Sequence, residues 1–355
     1  MHPAVAALLD QRSAIEQETW RSFWDQLGTG DLDRGEAVAL LTSLATRLPD
    51  HDSLRNMLAS LNERREPVTA DWPGSVNIVG TGGGPKTFNI STASAFVAAA
   101  MGVKVVKTGS RAYTSSVGSV DLLDRLGVTL TRSYRHTEDT LDRHGIAFAG
   151  PFVYPAELTR LARSIMPMSL KPFGRFLNAF GPFLAALPVS AQVTGVSVHA
   201  PQAELRRLAA SITDRRIWLC TNDSGADELL GFADNVVYTN DETTMIRVWA
   251  GRFTSDAGTF EDLAPAKDLD SVVDHFLSVV SGEAGDIATD TIALNAASLA
   301  VATGRIEDWP TAIETARQAI RGGAARALVD SMRAPAQRKL SIVKKAAGED
   351  VAVNG

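Results

Sequence analysis

Chemistry in this chain concentrates in three short segments. The first, IVGTGGGPKTFNISTASAF, runs from Ile78 to Phe96. An apolar run enters Gly80, Gly82, Gly83 and Gly84, and Thr87, Asn89, Ser91 and Thr92 lead into small apolar residues. Glycines let a backbone pass close to a ligand and adopt positive φ. Free amides there and at a helix start attract anions, and the hydroxyls cap the helix or bind phosphate. A plain tight turn with a helix cap would use some of the same residues. Four glycines followed by Asn-Ile-Ser-Thr favour a ligand loop. No Gly-Lys-Ser/Thr follows, so it is not a Walker loop, and the dinucleotide fingerprint does not fit either.

The second segment, VKTGSRAYTSSVGSVDLLDRLGV, runs from Val106 to Val128. Lys107 and Arg111 stand among Gly109, Ser110, Thr114, Ser115, Ser116, Gly118 and Ser119. Cations amid small hydroxyl residues suit a phosphate-rich ligand, although a solvated serine-rich loop has the same composition. The third segment, NDSGADELLG from Asn222 to Gly231, carries the adjacent acids Asp227 and Glu228. Hard oxygen ligands suit Mg²⁺, which keeps waters and phosphate oxygens as further ligands. Taken alone, such a pair is also the usual start of a solvated helix.

These segments need strands to hold them. Val76–Val79, Val103–Val106, Ile146–Ala149, Gln192–Val198, Arg216–Cys220 and Val236–Tyr238 read as strands, with Val128–Leu130 as a further extended stretch. Helical patterns fall at Thr92–Met101, Asp121–Leu126 and Gln202–Ser211. Strands alternating with helices predict an α/β domain whose mostly parallel central sheet is flanked by helices. Each of the first two ligand loops then lies at a strand's carboxyl end, where open α/β sheets bind ligands.

Helical spacing also fills Val5–Trp24 and Ala37–Leu48, with Asp31 or Asp33 as a cap between them, and Ser53–Glu63. The carboxy-terminal third reads as helices at Leu269–Val280, Ile287–Ala302, Trp309–Ile320 and Ala324–Val329. The expected organisation is a small all-helical domain over residues 1–70, joined by a helical segment from about 155–190, and an α/β domain over 71–355.

Composition narrows the classes of function. The 355 residues are 45% hydrophobic and 21% charged, which is ordinary for a globular protein. The net charge of −6 opposes nucleic acid and anionic membrane as partners. Cys220 is the single cysteine, so a disulfide framework and a cysteine-rich zinc site are excluded. The amino terminus has no basic segment followed by an apolar run, and no stretch is long enough to span a bilayer. The expectation is a cytoplasmic protein.

Together the motifs resemble the anthranilate phosphoribosyltransferase family, relatives of the pyrimidine nucleoside phosphorylases. The glycine loop is Gly80-Thr81-Gly82-Gly83-Gly84 with Thr87-Phe88-Asn89-Ile90-Ser91-Thr92. The second loop is Lys107-Thr108-Gly109-Ser110-Arg111, then Ser115-Ser116 and Gly118-Ser119-Val120-Asp121. Asp227-Glu228 and Leu294-Asn295-Ala296-Ala297 complete the likeness, which runs from about Asp31 to Met332.

The resemblance implies phosphoribosyl pyrophosphate as donor, a small aromatic aminobenzoate-like acceptor, and Mg²⁺ as cofactor. The donor would be held by Gly80 to Gly84, Thr87, Asn89, Ser91 and Thr92, with Lys107, Ser115 and Ser119. Ser91, Asp227 and Glu228 would hold two magnesium ions. Members are homodimers through the helical domain. Departures fall on the acceptor side. Thr108 and Ser110 replace a His and an Asn, and Met168 stands where the family has a carboxylate-binding arginine. In the donor loop Gly84 replaces an aspartate, one residue short of the usual length before Thr87. Thr108, Ser110, Tyr154 and Met168 are therefore the expected acceptor residues, with Tyr113 and Met166 as further possibilities. Anthranilate of tryptophan biosynthesis is not the expected acceptor. A nucleoside phosphorylase and a non-catalytic nucleic-acid binder are the alternatives, the first opposed by the acidic pair and the second by the charge. His136, His144 and His199 fall outside the motifs and read as structural or surface residues.

Overall fold

A computed structural model describes residues 1–10, 13–109, 118–241 and 243–333. Its centre is strand β1 (Trp72–Gly80), whose buried run Ser75–Ile78 follows from having parallel neighbours on both sides. On one side lie β2 (Lys104–Lys107) and then β3 (Ile146–Phe148). On the other lie β4 (Val189–Gly195), β5 (Arg216–Asn222), β6 (Asn235–Thr239) and β7 (Met245–Val248). The order is β3-β2-β1-β4-β5-β6-β7. The first five strands are parallel, and β6 and β7 are antiparallel. The fold is α/β with a mostly parallel sheet.

Side chains on β5 alternate between the two faces, as a pleated strand requires. Trp218 and Cys220 enter the core beneath α5 (Ile90–Ala100), α11 (Val272–Val280), α12 (Asp286–Thr303), α13 (Trp309–Arg321) and α14 (Ala324–Met332). Ile217 and Leu219 enter the opposite core. There they meet α1 (Pro3–Asp10), α2 (Gln17–Thr29), α3 (Arg34–Thr46), α4 (His51–Asn62), α8 (Ala156–Ser164), α9 (Gly174–Leu184) and α10 (Gln202–Ala210). Small residues let α5 lie tightly between β1 and α12, so nearly all of it is buried. Each large apolar side chain removed from water this way contributes about 1.5–3 kcal/mol.

Several elements differ from the sequence expectation. Val5–Trp24 is not one helix. The chain runs extended over Ile15 and Glu16 between α1 and α2, and the Ile15 amide donates to Ser53 Oγ at 2.7 Å. Asp33 is the cap of α3, accepting from the Gly35 amide. Val128–Leu130 forms no strand, because only Thr131 bridges to Ala149 there. The polar helix α7 (Tyr134–His144) and the half-exposed strand β7 carry apolar patterns too weak to reveal them in the sequence. α6 (Ser119–Leu126) begins at Ser119, two residues before the apolar spacing shows it.

One side chain ties the helical and sheet parts together. Arg65, just beyond α4, donates through its guanidinium to the carbonyls of Val153 and Leu184. Those carbonyls bracket the excursion that carries α8 and α9, between β3 and β4.

Candidate active site

The switch in strand order lies at β1 and β4. From β1 the chain crosses to β2 on one side, and β4 continues to β5 on the other. A crevice opens at the carboxyl ends of such strands. Here the two strand ends, Gly80 and Gly195, are register partners. Asp227 packs directly over both. A Cβ on Gly80 would lie 2.3 Å from Asp227 Oδ2, and one on Gly195 would lie 1.6 Å from the Asp227 carbonyl oxygen. Only glycine leaves room at either position.

Beyond Gly80 the loop turns through Gly82 and Gly83, at φ of 64° and 83°, conformations open to glycine at little cost. Asp227 Oδ2 accepts from the Gly82 amide at 2.7 Å. Ser197 holds the loop from behind, its hydroxyl donating to the Gly82 carbonyl at 2.7 Å and its amide to Thr81 Oγ1 at 3.0 Å. α5 then starts at Ile90. Asn89 occupies its cap position without making a side-chain cap bond, which leaves the amide facing the cavity.

Lys107, at the end of β2, is only 3% exposed. Its ammonium donates to the Ile78 carbonyl at 3.0 Å and to Ser91 Oγ at 3.1 Å. Burial pushes the amine down to about 8, against the pull of the Glu228 and Asp227 charges. Both carboxyls are held above the usual carboxylate range by desolvation, and Glu228 most strongly because Asp227 lies against it. The pair is hydrogen-bonded to itself, and Glu228 Oε2 is buried with no hydrogen-bond partner. An orphaned carboxylate oxygen beside a second carboxyl, facing a cavity, fits a divalent cation.

The cavity has a volume of about 360 Å³. Gly80, Gly82, Gly83, Gly84, Thr87, Asn89, Ser91, Lys107, Ser119, Asp227 and Glu228 line one side. Ser119 reaches it because Gly109 leaves space for the Ser119 hydroxyl, 2.3 Å from where a Cβ would stand. The opposite wall comes from the excursion between β3 and β4, and includes Tyr154, Leu158, Leu170, Leu177, Asn178 and Pro182. Thr108 spans the two. Its amide donates to Asn77 Oδ1 at 3.2 Å, and its hydroxyl donates to the same oxygen at 3.4 Å.

Two expected site residues are elsewhere. Thr92 is fully buried, one helical step round from Ser91 on the core side of α5, and does not line the cavity. Met168 is 40% exposed and off the wall, where Leu170 stands instead. Ser110 and Ser115, with Arg111 and Tyr113, lie outside the described residues. His199 is exposed and, with Arg175, lines a separate cavity of about 200 Å³ behind the glycine loop. Asp227 and Glu228 sit on a half-buried loop rather than a solvated helix start. Gly195, Ser197, Asn77 and Asn178 were not singled out in the sequence. Of these, only Gly195 left a trace there, as a glycine closing a β-branched run.

Known proteins are similar in sequence and fold. The family described as "Glycosyl transferase family, a/b domain" matches residues 73–326. Anthranilate phosphoribosyltransferase of Methylorubrum populi is 31% identical over 324 residues, covering 89% of this chain and 93% of that protein. The Bacillus cereus enzyme of the same name is 29% identical and covers 97% and 100%. Among solved structures, anthranilate phosphoribosyltransferase from Thermus thermophilus superposes with a TM-score of 0.73 at 26% identity, over 94% of this chain and 98% of that one. The Saccharomyces cerevisiae enzyme, solved in complex with PRPP and Mg, has a TM-score of 0.71 at 20% identity, over 89% and 91%, and so shares the fold. A family match over most of the chain, with relatives aligned nearly end to end, makes this protein a pentosyltransferase that belongs to the anthranilate phosphoribosyltransferase family.

Proposed function

We propose that the protein transfers the 5-phosphoribosyl group of phosphoribosyl pyrophosphate to a nitrogen of a small aromatic acceptor, releasing pyrophosphate, and that the acceptor is not tryptophan-pathway anthranilate. The observation that carries this reading is one cavity with two unlike walls. A buried cation, an acidic pair and a glycine loop face an apolar surface across it.

The donor phosphates lie against Gly82 to Gly84, Thr87, Asn89 and Ser91, with Lys107 beneath them and Ser119 at the start of α6. Ser110 and Ser115 belong to the proposed set on sequence grounds alone. Asp227, Glu228 and Ser91 would hold Mg²⁺, two ions by resemblance, which neutralises charge on the departing pyrophosphate. Lys107 adds positive charge from below in a site shielded from water, where it counts for more. The bond from the sugar's anomeric carbon to pyrophosphate breaks with its electron pair leaving on oxygen. The acceptor nitrogen supplies the new pair to that carbon and then loses a proton to solvent. No side chain needs to remove that proton first, since an aromatic amine already has a free pair. Orientation across the cavity does the remaining work.

We also propose two units, residues 1–70 with about 155–190 and residues 71–355, meeting at this cavity, and a homodimer formed through the helical unit. The shared core of α1–α4 with α8 and α9 supports the first proposal.

Calorimetric titration of donor with Mg²⁺, followed by pyrophosphate release across a panel of aromatic amines, tests the reading. Donor binding that needs Mg²⁺ and disappears in Asp227→Ala/Glu228→Ala is expected. Anthranilate turnover below about 10⁴ M⁻¹s⁻¹ in kcat/KM, the low end of ordinary enzymes, is expected as well. Phosphate-dependent cleavage of a pyrimidine nucleoside, or donor binding indifferent to the double substitution, would overturn it.

A further inference from the structure

The acceptor wall has a chemistry of its own. Leu158, Leu170, Leu177 and Pro182 supply its surface. Its polar groups are the Tyr154 hydroxyl and the Asn178 amide. Asn178 is half-buried, and its Nδ2 lies 3.9 Å from the point where a Cβ on Gly82 would stand, so the amide sits at the edge where the two walls meet. No hydrogen bond engages that amide among the described residues. Both described cations that line the cavity, Lys86 and Lys107, belong to the donor side. Arg175 lines the separate cavity behind the glycine loop.

A carboxylate set against this wall would lose its water and meet no opposite charge among the described residues. Burying an ion without a partner is among the most unfavourable arrangements in a protein. A neutral carboxamide, lactam or ring N–H beside a ring nitrogen suits the wall better. Apolar surface covers the ring faces, and one primary amide both donates to and accepts from the ring's polar edge. We infer that the acceptor is an uncharged aromatic amine or nitrogen heterocycle, with no carboxylate, and that Asn178 reads its polar edge. This inference rests on the phosphoribosyl-transfer reading and is narrower than the aminobenzoate expected from the sequence.

Two ligands of equal shape and unequal charge separate the possibilities. With donor and Mg²⁺ present, 2-aminobenzamide and 2-aminobenzoate are titrated against the full-length protein by calorimetry. The amide is expected to bind at least tenfold more tightly. Asn178→Leu is expected to lower affinity for the amide at least tenfold and to leave donor affinity within twofold. Asn178→Arg, which adds a cation to the wall, is expected to turn the preference toward the acid. Equal binding, preference for the acid by the native protein, or no binding of either up to millimolar concentration overturns the inference. Failure of the donor to bind in the first titration overturns the phosphoribosyl-transfer reading instead.

Discussion

Gly195→Ala tests the geometry of the metal corner with a single methyl group. The added carbon would stand 1.6 Å from the Asp227 carbonyl oxygen, 2.6 Å from its carbon and 3.2 Å from Cα. All three are backbone atoms, so no rotamer change relieves the contact. The Asp227 peptide must retreat by well over an ångström. That retreat pulls Oδ2 from the Gly82 amide, now 2.7 Å away, and shifts the carboxyl pair relative to the glycine loop. Forcing extra volume into a packed site costs about 1–3 kcal/mol. A displacement of about 1 Å in a positioning group costs about 10²-fold in rate. Gly28→Ala is the matched control. It lies within α2, where the new methyl meets only Arg160 Nη1 at 3.5 Å, and a gain of about 0.5–1 kcal/mol follows from stiffening the helix. Urea unfolding reads the stability, Mg²⁺-dependent donor titration reads the corner, and kcat/KM reads the reaction. If Gly195→Ala keeps its stability within a few tenths of a kcal/mol and its donor affinity within twofold, the packing argument is wrong.

The acidic pair predicts a pH response in the metal-free protein. Desolvation raises the folded Glu228 above its ordinary value, so stability falls as pH climbs from the carboxylate range through the raised one, and Glu228→Gln flattens that fall when unfolding is measured at pH 5 and pH 8. Protons compete with the cation for the same oxygens, so Mg²⁺ affinity is expected to rise over that interval, which a metal titration at the two pH values checks. Lys107→Ala removes a charged donor beneath the phosphates and should weaken donor binding by about tenfold or more, with a smaller change in acceptor KM; the reverse order in steady-state kinetics would contradict the assignment. Arg65→Met leaves the Val153 and Leu184 carbonyls without their donor, at about 1–3 kcal/mol of stability, and should raise acceptor KM while donor affinity stays constant.

The donor side of the cavity was legible because its chemistry uses residue types that are conspicuous in a short string. Four glycines at a strand end, with Asn-Ile-Ser-Thr after them, have few other uses. The burial of the acidic pair was not legible. Asp227 and Glu228 were expected as metal ligands from the resemblance, but only the sheet crossing that brings β5 beside β4 places them over Gly80 and Gly195. Thr92 shows the converse, since adjacent side chains on a helix point about 100° apart and of the two hydroxyls only Ser91 lines the cavity. The acceptor wall was read in part. Tyr154 was found, but Leu158, Leu170 and Leu177 look like ordinary core spacing, and Asn178 has no motif around it. In the sheet, the parallel strands announced themselves by continuous apolar runs, whereas β7 exposes alternate residues and gave no such run.

The excursion between β3 and β4 gives this enzyme a division of labour along its own chain. On the proposed reading, breaking the sugar–pyrophosphate bond depends on strand ends that Asp227 packs closely over. On the same reading, choosing the incoming ring falls mainly to one stretch of chain, held at Val153 and Leu184 by the Arg65 guanidinium, with Thr108 contributing from beyond it. A lineage with a duplicate gene has a short, self-contained stretch in which to explore new ring chemistries while the costly part of the reaction is inherited intact.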